Sequence, residues 1–254
     1  MRKLSLLFLL IVLFCLNISA QRKTENVILI TLDGARLQEI FGGFDVELYK
    51  KIQKDADKQE LYKKYWSDSN EVEREKLMPF FWQVLMKNHG SIAGNRLLKS
   101  EVKTTNNHLF SYPGYSEIVT GEAHDDIIDS NKRIQNKFPS FLQFLQKKMN
   151  LNSNQVASFA SWNVMNEIVT TDTNAFLVNA GYEEYRTKDA EAQRLSAQQF
   201  ETPTPWDSVR HDYYTFRFAM SHLKTYHPRV LHIGLGETDD WAHDERYDLY
   251  INAL

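Results

Sequence analysis

The chain has 254 residues, a formal net charge of −3, an ordinary charged fraction of 25% and a single cysteine, Cys15. That balance excludes the strongly basic surface a nucleic-acid-binding protein presents. The length is enough to bury a sizeable core without disulfide staples.

Residues 1–20 begin with Arg2 and Lys3, continue through an apolar stretch from Leu4 to Leu16 and exit on Asn17-Ile18-Ser19-Ala20. This pattern predicts a secretory signal peptide cleaved after Ala20, not a spanning helix. Cleavage discards Cys15 and takes the net charge from −3 to −5. With no thiol left, the strong ligands open to Zn, Mn, Mg or Ca are oxygen and imidazole. No later apolar run approaches the ~20 residues of a membrane span. The expectation is a soluble exported protein, periplasmic or secreted.

The run Asn26-Val27-Ile28-Leu29-Ile30-Thr31-Leu32-Asp33-Gly34 predicts an apolar strand buried on both faces, with Gly34 turning the backbone just past a carboxylate. Ligands of open α/β sheets bind outside the carboxyl ends of strands, so Asp33 suits a divalent metal; a plain capping role is the alternative. The Lys/Glu-rich stretch of residues 45–76 predicts a solvated helical insertion. Residues 77–86, dense in Met78, Phe80, Phe81, Trp82, Val84 and Leu85, predict a helix packed on the sheet and stopped by Asn88-His89-Gly90.

Pro139 opens a further helix through Leu145 in its favoured first turn, and residues 155–162 predict the next strand. An amphipathic helix over residues 208–226 precedes a strand over 229–235. Alternating strands and helices predict an α/β fold with a mainly parallel sheet covered on both faces.

Two further segments carry candidate chemistry. Ser111 stands at a predicted helix start, with Pro113 in the first turn and Gly121 at the far end. A hydroxyl there faces unpaired N–H groups and the positive end of the helix dipole, a setting that stabilises an alkoxide or a phosphate; a simple N-cap serine is the alternative. Asp239 and His243, four residues apart, project from one helical face and can chelate one ion, or belong to an ordinary polar loop. Glu117 reads as a helix-surface residue, and Glu237 and Asp240 as outer partners of the ligands or solvated neighbours. His124, Trp162, Asn163 and Trp241 are candidates for lining the cleft.

Taken together, the strand ending in Asp33-Gly34, the helix from Ser111 to Thr120-Gly121 and the Asp239/His243 pair resemble the alkaline phosphatase superfamily. The pattern is most similar to its nucleotide pyrophosphatase/phosphodiesterase-like members. The resemblance implies that Ser111 is the nucleophile, that Asp33 and Ser111 serve one metal ion, and that Asp239 and His243 serve its neighbour, both zinc. It implies a small-molecule phosphate ester, monoester or diester, as substrate, with double displacement through a phosphoserine.

Some positions depart from the pattern. Gly114 stands where such members carry an Asn that contacts a phosphoryl oxygen, and Asn106 or Asn107 could substitute for it. Tyr115 stands where a sulfatase carries Arg, which ranks a sulfatase lower. The family's Asp-His-Gly strand and a further distant His are not found before Leu254, and the stripe Tyr247, Tyr250, Ile251, Leu254 is still running there. The expectation is therefore an N-terminal fragment of an alkaline-phosphatase-like catalytic domain, with the remaining ligands beyond residue 254. Alternatives are a sulfatase or phosphonate hydrolase of the same fold, or a non-catalytic exported binding protein with a degenerate site.

Overall fold

Uninterrupted aliphatic residues make β1 (Val27–Leu32) the first strand, and it ends where Gly34 takes a left-handed φ of 68°. The computed structural model describes residues 24–254, so the predicted signal peptide and Cys15 lie outside the described residues. Three short helices follow, α1 (Val46–Ile52), α2 (Glu60–Tyr65) and α3 (Asn70–Leu77). Beyond a π-helical turn at Phe81–Met86 come α4 (Ser111–Thr120) and α5 (Phe141–Lys148). Then come β2 (Val156–Ala160), α6 (Met165–Ile168), β3 (Leu177–Ala180) and α7 (Ala190–Gln198). The chain continues through α8 (Asp212–Tyr226), β4 (Val230–Leu235), α9 (Glu237–His243) and α10 (Tyr247–Ala253).

Among the described residues four strands form one parallel sheet in the order β1-β4-β2-β3. Side chains alternate between its faces. Val156, Ala160 and Val230 meet Tyr112, Tyr115, Leu142 and Ile168 on one face. Phe159, Leu231 and Ile233 meet Leu195, Tyr214 and Phe218 on the other. Helices thus cover both faces, as the alternation of elements predicts.

The place of β1 differs from expectation. Among the described residues it is an edge strand, hydrogen-bonded to β4 alone, and Ile28 and Ile30 remain 49% and 58% exposed. Aliphatic content specifies a strand but not its position in the sheet; β2, between β4 and β3, is the strand buried at every residue.

The segment of residues 45–76 is helical, yet it is not merely solvated. Phe44, Tyr49, Tyr65 and Leu77 form a third core with Tyr247, Tyr250 and Ile251 of α10, the stripe read from the sequence. The π-helical turn does not pack on the sheet as expected: none of its residues is buried, and Trp82 meets Phe41 edge-on with ring centroids 6.1 Å apart. The cap of α5 is Ser140 in a capping box with Gln143, so Pro139 precedes the helix instead of opening it. Among the described residues no helix is long and apolar enough to cross a membrane.

Candidate active site

Adjacent carboxyl ends of β1 and β4 build the site. The Asp33 N–H donates to Leu235 O at 3.0 Å, extending the ladder by one step. The chain then turns at Gly34, where a Cβ would stand 2.5 Å from the Cα of Asp239. Thr238 donates its hydroxyl to Asp33 O, so the end of β1 and the first turn of α9 are locked face to face.

Ser111 is the first residue of α4, after the cap residue Phe110. Its hydroxyl donates to Asp33 Oδ1 at 3.4 Å, a long hydrogen bond. Tyr112 and Tyr115 bury their rings under the sheet and set the depth of the helix, which stops at Gly121 with φ 84°. One expectation needs correcting here. The Tyr112 N–H is not open to a ligand, because it donates to Asn131 Oδ1 at 2.9 Å, and Pro113 has no N–H to offer.

Asn131 is the residue that sequence reasoning missed. It lines a cleft of about 190 Å³ together with Asp33, Ser111, Asp239, Asp240 and His243, and Trp162 forms part of the wall. With its Oδ1 committed to Tyr112, its NH2 is the group left to donate to a ligand. Nothing in Ser130-Asn131-Lys132 distinguishes it from a turn, because it caps a helix some 20 residues away in sequence. A larger, more apolar cavity of about 340 Å³ is lined by Arg36, Leu48, Ile52, Tyr247 and Tyr250, whereas Asp33, Ser111, Asp239 and His243 gather in the smaller cleft.

Electrostatics in the cleft favour a cation. Burial and the neighbouring Asp239 carboxylate push Asp33 up to about 6, against hydrogen bonds from Ser111 and the Gly34 N–H. Burial, then Asp239 and Asp33, push Asp240 up to about 7. The Asp239 and His243 side chains meet on one face of α9, Nε2 to Oδ2 at 3.4 Å, as their spacing predicts. Crowded carboxylates beside an imidazole are a donor set suited to a divalent ion. Among the described residues, however, no three His, Cys, Asp or Glu side chains converge as a ready-made metal site.

No protein-family model, curated protein or solved structure matches the chain.

The other sequence candidates separate clearly. Asn107 lies outside the cleft, its N–H and Nδ2 both donating to Asp125 Oδ2, at 2.9 and 2.7 Å. Asn106 is bound to Glu117 through its N–H and Nδ2. Gly114 sits in α4 with open space where a Cβ would be, and it does not line the cleft. Glu117 is more than surface: burial opposes its ionisation, but donors from Asn106 and Thr105 prevail and draw its carboxyl down to about 2. His124 stacks on Phe138 at 3.4 Å, and Trp241 packs edge-on against Trp206 at 4.5 Å. The side chain of Asn163 packs against Gly181, and Glu237 faces His211 instead of the cleft.

Proposed function

We propose that this chain carries the nucleophile and part of the metal-holding site of an exported phosphoric ester hydrolase of the alkaline phosphatase superfamily, similar to its nucleotide pyrophosphatase/phosphodiesterase-like members. The observation that carries the reading is the hydrogen bond from Ser111 to Asp33, 78 residues apart in sequence, inside a cleft that also contains Asp239 and His243.

Asp33 with Ser111 would hold one divalent ion, and Asp239 with His243 its neighbour; carboxylate and imidazole donors suit zinc. Such ions, when bound, polarise the phosphoryl group and lower the pKa of an attacking hydroxyl. The chain supplies the rest. Ser111 Oγ forms a bond to phosphorus as the P–O bond to the leaving alkoxide breaks; the hydroxyl proton passes to Asp33 along the Ser111–Asp33 hydrogen bond, and the alkoxide takes a proton from solvent to depart as the alcohol. Water then cleaves the phosphoserine and restores the hydroxyl. Asn131 donates its NH2 to a non-bridging phosphoryl oxygen, the role expected of Asn107 or a residue at Gly114. Trp162 shields one side of the cleft.

These residues give each ion two ligands, against about four in a closed zinc site. Metal binding and turnover are therefore best read separately. The protein, expressed from its uninterrupted reading frame, is assayed on p-nitrophenyl phosphate, p-nitrophenyl phenylphosphonate and p-nitrophenyl sulfate, with and without chelator. Chelator-sensitive cleavage of a phosphorus ester, absent in Ser111→Ala, is the expected result. Preferred cleavage of the sulfate would make it a sulfatase. Bound metal without turnover would instead support a non-catalytic binding protein.

A further inference from the structure

Two helices begin beside each other at the carboxyl edge of the sheet, and neither caps its own first turn with a side chain. α8 starts at Asp212 after His211, and α9 starts at Glu237 after Gly236. Setting two helix N-termini together concentrates orphan N–H groups and two positive dipole ends in one place, which is unfavourable without negative charge between them.

The first residue of each helix supplies that charge to the other. Asp212 Oδ1 accepts from the Gly236 N–H at 2.8 Å, and Oδ2 accepts from the Glu237 N–H at 3.1 Å. In return, Glu237 Oε1 accepts from the Asp212 N–H at 3.3 Å and pairs with His211 Nδ1 at 2.5 Å. The exchange is anchored from behind. Wholly buried Arg210 donates to Thr215 Oγ1 at 2.8 Å, Thr215 meets Ser161 Oγ at 2.8 Å, and Ser161 donates to Asp212. Arg210 also binds the Asn179 carbonyl oxygens at 2.7 and 3.0 Å, which ties the relay to β3.

We infer that Asp212 and Glu237 are positioning residues, a reciprocal clamp that fixes α9 against the sheet so that Asp239 stays on Gly34 and His243 stays at the cleft. Neither carboxylate lines the cleft. What the clamp positions rests on the metal reading above; that it immobilises α9 does not.

The test compares the protein with its Asp212→Ala, Asp212→Asn and Glu237→Gln variants by amide hydrogen exchange and by cobalt(II) titration followed through its visible absorption bands. In Asp212→Ala, exchange over residues 236–243 rises about tenfold or more while residues 230–235 keep their protection. Cobalt affinity falls ~10–100-fold, the scale seen when groups supporting a metal's ligands are removed. Asp212→Asn retains an acceptor for Gly236 and recovers part of both losses. If Asp212→Ala does not fold, Asp212→Asn and Glu237→Gln carry the same comparison. Protection lost evenly along the chain, with cobalt affinity of the folded protein unchanged, would reduce Asp212 to general stability and overturn the clamp. If the unsubstituted protein binds no cobalt, the metal reading fails, and exchange decides the clamp alone: loss confined to residues 236–243 supports it, unchanged protection overturns it.

Discussion

Gly34 and Asp239 are in direct contact: a Cβ on Gly34 would stand 2.5 Å from the Asp239 Cα, with the Asp239 backbone N at 2.9 Å. Backbone atoms cannot move aside as a flexible side chain can, and Gly34 also has φ 68°. Gly34→Ala should therefore cost at least about 1–3 kcal/mol from the left-handed backbone alone, with more from the overlap. The expected outcome is a lower melting temperature and loss of divalent-metal binding together. A variant that melts like the parent and still binds metal would separate the turn from the site.

His232 predicts a pH effect on stability. It lies wholly buried in β4, its Nδ1 2.8 Å from Ser158 Oγ and its Nε2 3.2 Å from Thr31 Oγ1, and burial pushes it down to about 4. The unfolded chain takes up this proton near 6.5, whereas the folded chain resists it until about 4. The contribution of His232 is therefore complete above about pH 6.5 and is lost as pH falls toward 4, by up to about 3 kcal/mol. Asp33 and Asp240, raised in the fold, act with the opposite sign in part of this window. The measurement is thus a difference: melting temperatures from pH 4 to 7 for the parent and for His232→Gln. The substitution should flatten the acid limb, and parallel curves would contradict the assignment.

Glu117 should govern the order of the loop before α4. Its carboxylate accepts from Thr105 N at 2.7 Å, Thr105 Oγ1 at 2.9 Å, Asn106 N at 3.1 Å and Asn106 Nδ2 at 2.7 Å. Because the group is only partly buried, its loss in Glu117→Ala is expected to cost only about 1 kcal/mol of global stability. Local exchange over residues 103–109 should rise far more than the melting temperature falls. Unchanged exchange there would show that the loop is held by other contacts.

Much of the architecture was legible because its signals are local. Residues 229–235 read as a strand from their branched aliphatics, and Asp239/His243 read as a shared helical face from their four-residue spacing. β3 was not legible, since Leu177–Ala180 is four residues long and contains Asn179, which binds Arg210. The edge position of β1 and the roles of Asn131 and Asp212 depend on partners far away in sequence, which no periodicity encodes.

Asn131 predicts a loss of transition-state stabilisation. Asn131→Ala removes both the cap on the Tyr112 N–H and the amide next to Ser111. The expected result is a ~10–100-fold fall in kcat/KM for phosphate esters, in the range for loss of one donor to a charged oxygen. Asn131→Asp keeps the cap but places a carboxylate beside the phosphoryl oxygens, so it should be at least as damaging. A kinetically silent Asn131→Ala would return the residue to a purely structural role.

In the proposed function, Ser111 is the nucleophile of a metal-dependent phosphoryl-transfer site. The most direct test is mass spectrometry of the protein quenched in acid during incubation with p-nitrophenyl phosphate and zinc. The expected result is a phosphoryl group on Ser111 that disappears when a chelator is present. Turnover with Ser111 unmodified, or a metal-loaded protein that never becomes phosphorylated, would contradict it.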